Sequence, residues 1–509
     1  MPTNTDDIAL PGRTAPLAMD ADTFRALGHE MVDQVAELLA TLPDRPVTRG
    51  ETPSEVRAAL NAERDLPETG EDAGAVLGRA TTLLKEHSLY NGHPRFFGYI
   101  TSPPAPIGIL GDLLAAAINP NVGAWVLSPM AAEMELQSIR WLSQLVGFPD
   151  DGGGILVSGG NVANMLGFWT ARVAKGGLEV RAAGMAGIGG GRLRAYGSAE
   201  THTWIQKAAD LAGLGTESVR WIPTDEDLRM DVGKLRAAIE ADLAAGDRPF
   251  MVVGTAGSVS TGAVDPLPEI AKLCREFDLW FHVDGAYGAF AAALPDAPSD
   301  LKALAGADSV AMDPHKWLYA PLEAGAVLVR DADRLRDAFS YHPAYYHFGQ
   351  SAINFFDRGI QNSRGFRALK VWLQLQHAGR EGYVRMIGDD CRLSRELHRH
   401  VADTHELEPH HQSLSISTFR FVPDDLEERA GEEAVGEYLN ALNRAIQARL
   451  EREGEAFVSN AVVRGRYLLR ACIVNFHTDT DDVEALPEIV VRTGRKVDAE
   501  MRTEGLGEG

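Results

Sequence analysis

The sequence predicts an α/β protein with a mostly parallel central sheet, an N-terminal helical arm and a small C-terminal α+β domain. Three observations predict it. Short apolar runs alternate with helical segments from about residue 154 to residue 329, the pattern of strands joined by crossover helices with helices on both sheet faces. Apolar residues near the N-terminus recur at steps of three and four, the period of an amphipathic helix. After about residue 380 the texture changes to strands beside a long helix. A length of 509 residues allows two or three domains. Their boundaries read as 1–90, 91–380 and 381–509.

Residues 1–18 read as a loose arm. Phe24, Leu27, Met31, Val35, Leu38 and Leu42 then share one helix face, with Asp20 or Asp22 as N-cap and Pro43 and Pro46 beyond the end. A second helical stretch with Val56 and Leu60 follows Thr52-Pro-Ser54. The arm has little of its own to bury this stripe against, so it must pack on the body or on another subunit. Gly154–Val157 reads as a strand that runs through Ser158-Gly-Gly-Asn161 into a helix, Val162–Arg172. Further strands are expected at Arg192–Tyr196, Val219–Ile222, Phe250–Val253, Leu279–Val283, Ser309–Met312 and Ala324–Val329, with helices over Leu235–Ala245 and Leu267–Phe277. Ligands of such sheets sit at the carboxyl ends of the strands. Leu414–Phe421 and Tyr467–Val474 read as strands and Glu432–Glu453 as a long helix. The last fifteen residues, charged and rich in glycine, read as frayed.

Composition narrows the function. With 49 Lys and Arg against 72 Asp and Glu, the net charge is −23, which disfavours nucleic acid and anionic membranes as partners. Cys274, Cys391 and Cys472 are the three cysteines. They are far apart, with no disulfide framework and no metal-ligand spacing, which fits a reducing cytoplasm. No basic segment followed by an apolar stretch opens the chain, so no signal peptide is expected. No run of about 20 apolar residues suggests a membrane span.

Two residues then stand out. Lys316 lies in Ser309-Val-Ala-Met-Asp-Pro-His-Lys-Trp317, and Asp284 in Trp280-Phe-His-Val-Asp-Gly-Ala-Tyr-Gly288. Each follows an apolar run. Pyridoxal phosphate (PLP) needs a lysine for its aldehyde and a carboxylate beside its ring nitrogen. Alone, Asp284 reads equally as a turn residue or helix cap, and Lys316 as a solvated loop lysine. The Gly-rich turn Ser158-Gly-Gly-Asn161 opens a helix, whose first N–H groups favour an anion. His202, in Ser198-Ala-Glu-Thr-His-Thr203, follows a third strand and would stack on a cofactor ring. Ala286 is small enough to lie under that ring. Ser309 and His315 would donate to a phosphate. These signals occur together, each near a predicted strand end.

The set resembles the PLP-dependent group II amino-acid decarboxylases, most of all their aromatic-L-amino-acid branch. The likeness runs from about residue 19 to residue 485. It is carried by His93-Pro-Arg-Phe-Phe-Gly-Tyr99, Trp125-Val-Leu-Ser-Pro129, Gly257-Ser-Val-Ser-Thr-Gly-Ala-Val-Asp265, His282-Val-Asp-Gly-Ala286 and Asp313-Pro-His-Lys-Trp317. The resemblance implies PLP fold-type I (aspartate-aminotransferase-like) and a homodimer with shared active sites, its arms wrapped around the partner. It implies that Lys316 holds PLP, Asp284 pairs with the ring nitrogen and His202 stacks on the ring. Gly160, Asn161, Ser309 and His315 would surround the phosphate, with Asp313 nearby. Tyr345, in His342-Pro-Ala-Tyr-Tyr-His347, matches the tyrosine that returns a proton to Cα. The implied reaction passes through an external aldimine and a quinonoid to an amine and CO2. A tyrosine at 345, where aldehyde-forming plant relatives resemble one another in having phenylalanine, favours simple decarboxylation.

Some positions depart from the family pattern. Asn161 stands where Ser or Thr is common, Val259 where Thr is common, and Gly365 where a second Arg is usual. Gly123 replaces a bulky residue, which would enlarge or reshape the pocket. Tyr99, Ile100, Trp125 and Phe96 would form an apolar wall suited to tyrosine, DOPA, phenylalanine or tryptophan. An acidic substrate would need a cation there, and Arg95 is the nearby candidate, expected to face elsewhere. The alternatives are decarboxylation of an aliphatic or acidic amino acid, aldehyde-forming oxidative decarboxylation, another PLP reaction, and a homologue without activity.

Overall fold

The computed structural model describes residues 15–341 and 352–502. The chain divides into two compact units, one of residues up to 90 with 452–454, the other of residues 91–451 with 455 onward. The first unit holds helices α1 (Ala21–Thr41), α2 (Pro53–Leu60) and α3 (Ala73–His87). Their starts are dictated by side-chain caps. Asp20 accepts from the N–H groups of Asp22 and Thr23, Thr52 and Glu55 form a reciprocal capping box, and Asp72 accepts from Ala75 N. None of the three helices has a buried residue, yet the apolar stripe of α1 is partly covered: Leu27, Met31, Val35 and Leu38 are half-buried, Leu27 lies against Gly74 of α3, Leu42 just beyond the helix is buried, and Phe24 is left exposed. Lys85 pairs with Glu37 at 2.9 Å and ties α3 to α1.

The second unit contains two sheets. Strand β1 (Phe96–Phe97) belongs to the smaller one. Helices α4 (Pro106–Ile118), α5 (Pro129–Val146) and α6 (Gly160–Gly176) follow. The large sheet comprises β2 (Gly153–Val157), β3 (Leu193–Ser198), β4 (Val219–Ile222), β5 (Arg248–Thr255), β6 (Trp280–Asp284), β7 (Ser309–Met312) and β8 (Gly325–Val329), in the order β2-β8-β7-β6-β5-β3-β4. The pairs β4–β3, β3–β5, β5–β6 and β6–β7 are parallel, whereas β8 runs antiparallel to both β7 and β2. Strands β2, β3, β6, β7 and β8 are buried along their whole length. That is why they read as apolar runs rather than as alternating patterns.

A buried ion pair fastens the first strand. Arg364 and Glu135 have side chains 1% and 0% exposed. Glu135 Oε1 accepts from Leu156 N at 3.0 Å, and Arg364 donates to Leu156 O at 2.6 Å and Val122 O at 2.9 Å. The pair therefore grips β2 one residue before its end. Its charges meet each other and the backbone through both Arg364 Nη atoms and both Glu135 oxygens, which offsets the cost of burial.

The smaller sheet has the order β1-β11-β12-β10-β9, from β9 (Leu407–Ser413), β10 (Ile416–Phe421), β11 (Phe457–Val463) and β12 (Arg466–Cys472). The helices Ala368–Asp403, Glu433–Glu453 and Thr480–Met501 cover it through a core that includes Leu397, Phe419, Leu439, Leu469 and Leu486. The last helix corrects the expectation of fifteen frayed residues. Asp479 and Asp482 form a capping box, and Val483, Leu486, Ile489, Val490 and Val497 are buried, so apolar spacing carries order through Met501. The expected boundary at residue 380 falls inside the helix Ala368–Asp403, next to the bend where Gly379 takes φ 61°.

Candidate active site

Parallel strands end at one edge of a sheet, and here that edge gathers the chemistry. The turn Ser158-Gly159-Gly160 leaves β2, Glu200 and His202 follow β3, Thr255 ends β5, Asp284 ends β6, and Asp313 to Lys316 follow β7. All of them line one cleft of about 570 Å³, which also takes in Tyr99, Ile100, Asn161, Asn164, Trp204, Val259, Ala286, Tyr287, Leu322 and Arg470. Register sets the spacing: Thr255 lies opposite Asp284, and Asp284 opposite Ala311.

Asp284 is 6% exposed. Its Oδ2 accepts from Trp204 Nε1 at 2.7 Å and its Oδ1 from Ala286 N at 3.2 Å. Lys316 Nζ stands 3.1 Å from Asp313 Oδ2, with His315 Nε2 3.6 Å from the same oxygen. The segment bearing Lys316 is pinned from below. Buried Asp390 accepts from Trp317 Nε1 and Tyr319 Oη, each at 2.8 Å. Burial pushes that carboxyl up to about 7 against those donors. Trp317 stacks on Tyr287 at 4.8 Å between ring centroids.

Glycine is required at the turn. A Cβ on Gly160 would lie 2.6 Å from Asp313 Oδ2, and one on Gly325 would lie 2.5 Å from Gly159 Cα. The first N–H groups of α6 are thus left bare toward the cleft, where an anion is favoured. His202 faces the cleft, its Nδ1 accepting from Trp204 N at 3.2 Å. Protein around its other sides disfavours the imidazolium, so its pKa is lowered, with the Lys316 charge adding to the effect and Asp284 opposing it. Burial lowers His315 in the same way, and its Nδ1 accepts from Ala324 N at 3.1 Å.

Among the described residues, three polar atoms in the cleft wall are buried without a hydrogen-bond partner: Thr255 Oγ1, Asp313 Oδ1 and Arg470 Nε. Orphaned buried groups are rare and call for a ligand. A lysine, a carboxylate and a helix N-terminus around a cleft of about 570 Å³ suit PLP. Arg470 is a residue the sequence reading overlooked. It rises from β12, is 4% exposed and donates to the carbonyls of Val259 and Tyr99. Among the described residues it has no carboxylate partner, and burial lowers its pKa. The visible signal was one arginine inside the apolar run Tyr467–Val474. Arg95, the cation near the expected wall, instead pairs with Asp482 at 3.1 Å.

Gly160, Asn161, His202, Asp284, Ala286, His315, Lys316, Tyr99 and Ile100 are thus brought together, while four other expected residues lie elsewhere, among them Phe96, which is buried against Phe457 at 5.2 Å between ring centroids. Ser309 starts β7, at the end opposite Lys316, and is fully buried. Its Oγ accepts from Trp280 Nε1 at 2.8 Å and meets His282 Nδ1 at 2.7 Å, while His282 Nε2 meets Asn164 Oδ1 at 2.7 Å. It therefore anchors a relay beneath the cleft and offers nothing to a phosphate. Gly123 does not line the cleft. A Cβ there would stand 2.0 Å from Asn362 O, so close backbone packing, not pocket volume, requires glycine. Trp125 also lies outside the cleft wall, its Nε1 donating to Glu133 at 2.8 Å. Tyr345 lies outside the described residues.

The relay has a pH signature. Burial lowers His282 from 6.5 to about 4. Between those values the unfolded chain binds a proton that the folded one does not, so stability rises with pH there and is lost on acidification. His282→Asn is expected to flatten that dependence by up to about 1.4 kcal/mol per pH unit. Urea unfolding at a series of pH values measures it, and an unchanged slope would mean that the imidazole is not held neutral.

Comparison with known proteins agrees with this geometry. Residues 53–420 match the pyridoxal-dependent decarboxylase conserved domain. The aromatic-L-amino-acid decarboxylase of Bacillus atrophaeus is 31% identical over 472 residues, covering 92% of this chain and 94% of the relative. Phenylacetaldehyde synthase of Arabidopsis thaliana is 29% identical, covering 89% and 92%. The crystal structure of Oryza sativa TDC with PLP and tryptamine superposes with a TM-score of 0.86 at 27% identity, covering 95% of this chain and 99% of that one. The fold is therefore that of the PLP fold-type I decarboxylases. The chain belongs to the pyridoxal-dependent decarboxylase family, as an amino-acid decarboxylase whose cofactor is pyridoxal phosphate.

Proposed function

We propose that the protein converts an aromatic L-amino acid (tyrosine, DOPA, phenylalanine or tryptophan) to its amine and CO2. The observation that carries this reading is the cleft itself. Lys316, Asp284 and His202 meet there beside a wall of Tyr99, Ile100, Val259 and Leu322. Bound PLP supplies an electron sink for the pair released as the carboxylate leaves. Lys316 would carry the cofactor, Asp284 would hold its ring nitrogen, and Ala286 and His202 would enclose its ring. Gly160 and Asn161, at the N-terminus of α6, and His315, beside the Gly159 turn, would hold the phosphate. Arg470 would take a substrate carboxylate, with Tyr345 as donor of the proton to Cα. Kinship with aromatic decarboxylases supports the side-chain class.

A second reading follows from Arg470, because a buried cation in the wall would also hold an acidic side chain. A third, aldehyde formation, follows from kinship with phenylacetaldehyde synthase. A CO2-release screen across the amino acids separates them. The expected outcome is amine and CO2 from aromatic substrates, with no turnover by Lys316→Ala. Release from aspartate or glutamate alone, or aldehyde with H2O2, would overturn the aromatic reading.

The working form is proposed to be a homodimer with shared active sites, in the reducing cytoplasm that suits three buried free thiols. On α4, Leu110, Leu113, Leu114 and Ile118 are about half exposed, an apolar face that a second copy would cover. Sedimentation equilibrium is expected to give twice the chain mass. A monomer that retains full activity would contradict the dimer.

A further inference from the structure

Trp204 is placed to do more than fill space. It opens the helix Trp204–Leu211, and its side chain is 1% exposed. Phe168 and His282 meet its ring edge-on, at centroid distances of 6.3 and 5.7 Å. The indole is therefore locked, and it aims Nε1 at Asp284 Oδ2 from 2.7 Å. Among the described residues this is the one side-chain hydrogen bond that Asp284 receives, and no lysine or arginine forms an ion pair with it. An indole N–H can donate and never accept. A hydrogen bond donated to a carboxylate favours its charged form over its protonated one.

We propose that Trp204 is a positioning residue that keeps the shared proton on the cofactor's ring nitrogen rather than on Asp284. The proposal rests on the reading that Asp284 pairs with that nitrogen. With the indole bond in place, Asp284 stays an acceptor and the ring keeps its positive charge, which is what makes it an electron sink. Without the bond, the same proton moves to a carboxylate oxygen and leaves a neutral pair, so the ring withdraws electrons less strongly. His282, the other ring nearest the indole, is held neutral by burial, so it supplies no competing charge.

The test uses the holoenzyme loaded with PLP labelled with nitrogen-15 in the ring. Two variants remove the N–H: Trp204→Phe, and the chain carrying 3-benzothienylalanine at 204, which replaces N–H by sulfur at nearly constant shape. Both are expected to move the ring-nitrogen resonance toward the unprotonated range. Both should lower kcat by about 10-fold with KM little changed. A resonance and kcat that stay at wild-type values in the benzothienyl protein would overturn the proposal even if Trp204→Phe misfolds. Asp284→Asn is the control for the underlying reading. If it leaves the resonance at the wild-type position, Asp284 is not the partner of the ring nitrogen, and the failure lies there rather than at Trp204.

Discussion

The constraint on which the site depends is the parallel pairing of β5, β6 and β7. Parallel strands end on one side, and their register fixes how far apart their last residues lie. Thr255, Asp284 and the Asp313–Lys316 segment are neighbours because their strands are. Each is separated from the next by tens of residues of helix and loop, so no local segment could assemble them. The ends are held by buried polar groups: Asp390 under Lys316, Trp204 beside Asp284, and the Glu135–Arg364 pair behind the turn after β2.

Charge is distributed in the cleft in a way that only a ligand completes. Asp313, Lys316, Asp284 and Arg470 converge, yet Arg470 has no carboxylate partner among the described residues, and orphaned atoms remain on Thr255 and Asp313. Burying such groups without partners costs stability. A protein keeps them where binding or catalysis uses them, so the cleft is built for a ligand with an anionic end and a polar ring. Burial lowers the pKa of the histidines around it, which disfavours their charged form and suits them to hydrogen bonding and stacking.

Much of this was legible in the sequence, because period and composition report burial directly. Five strands of the large sheet, β2, β3, β6, β7 and β8, are buried on both faces and so appear as apolar runs, and Lys316, Asp284 and His202 stand at or just beyond strand ends. Direction is not encoded in such a run, so the reversal of β8 was not visible. Ser309 misled because a strand start and a strand end look alike in a motif of nine residues, although they face opposite edges of the sheet. Gly123 misled because a missing side chain signals either space or contact, and only the Asn362 carbonyl decides between them. Arg470 and Trp204 were missed because their partners lie far away in sequence, in the Val259 and Tyr99 carbonyls and in Asp284. The final helix was hidden by its charged surface, although the buried spacing of Val483, Leu486, Val490 and Val497 was present.

The proposed activity requires that Lys316, the lysine following β7, carry the cofactor. Loading the protein with PLP, reducing it with borohydride and mapping the modified peptide by mass spectrometry tests that claim most directly. A single pyridoxyl group, on Lys316, is the expected product. A protein with no modification at Lys316, or with the group fixed on another lysine, would contradict it.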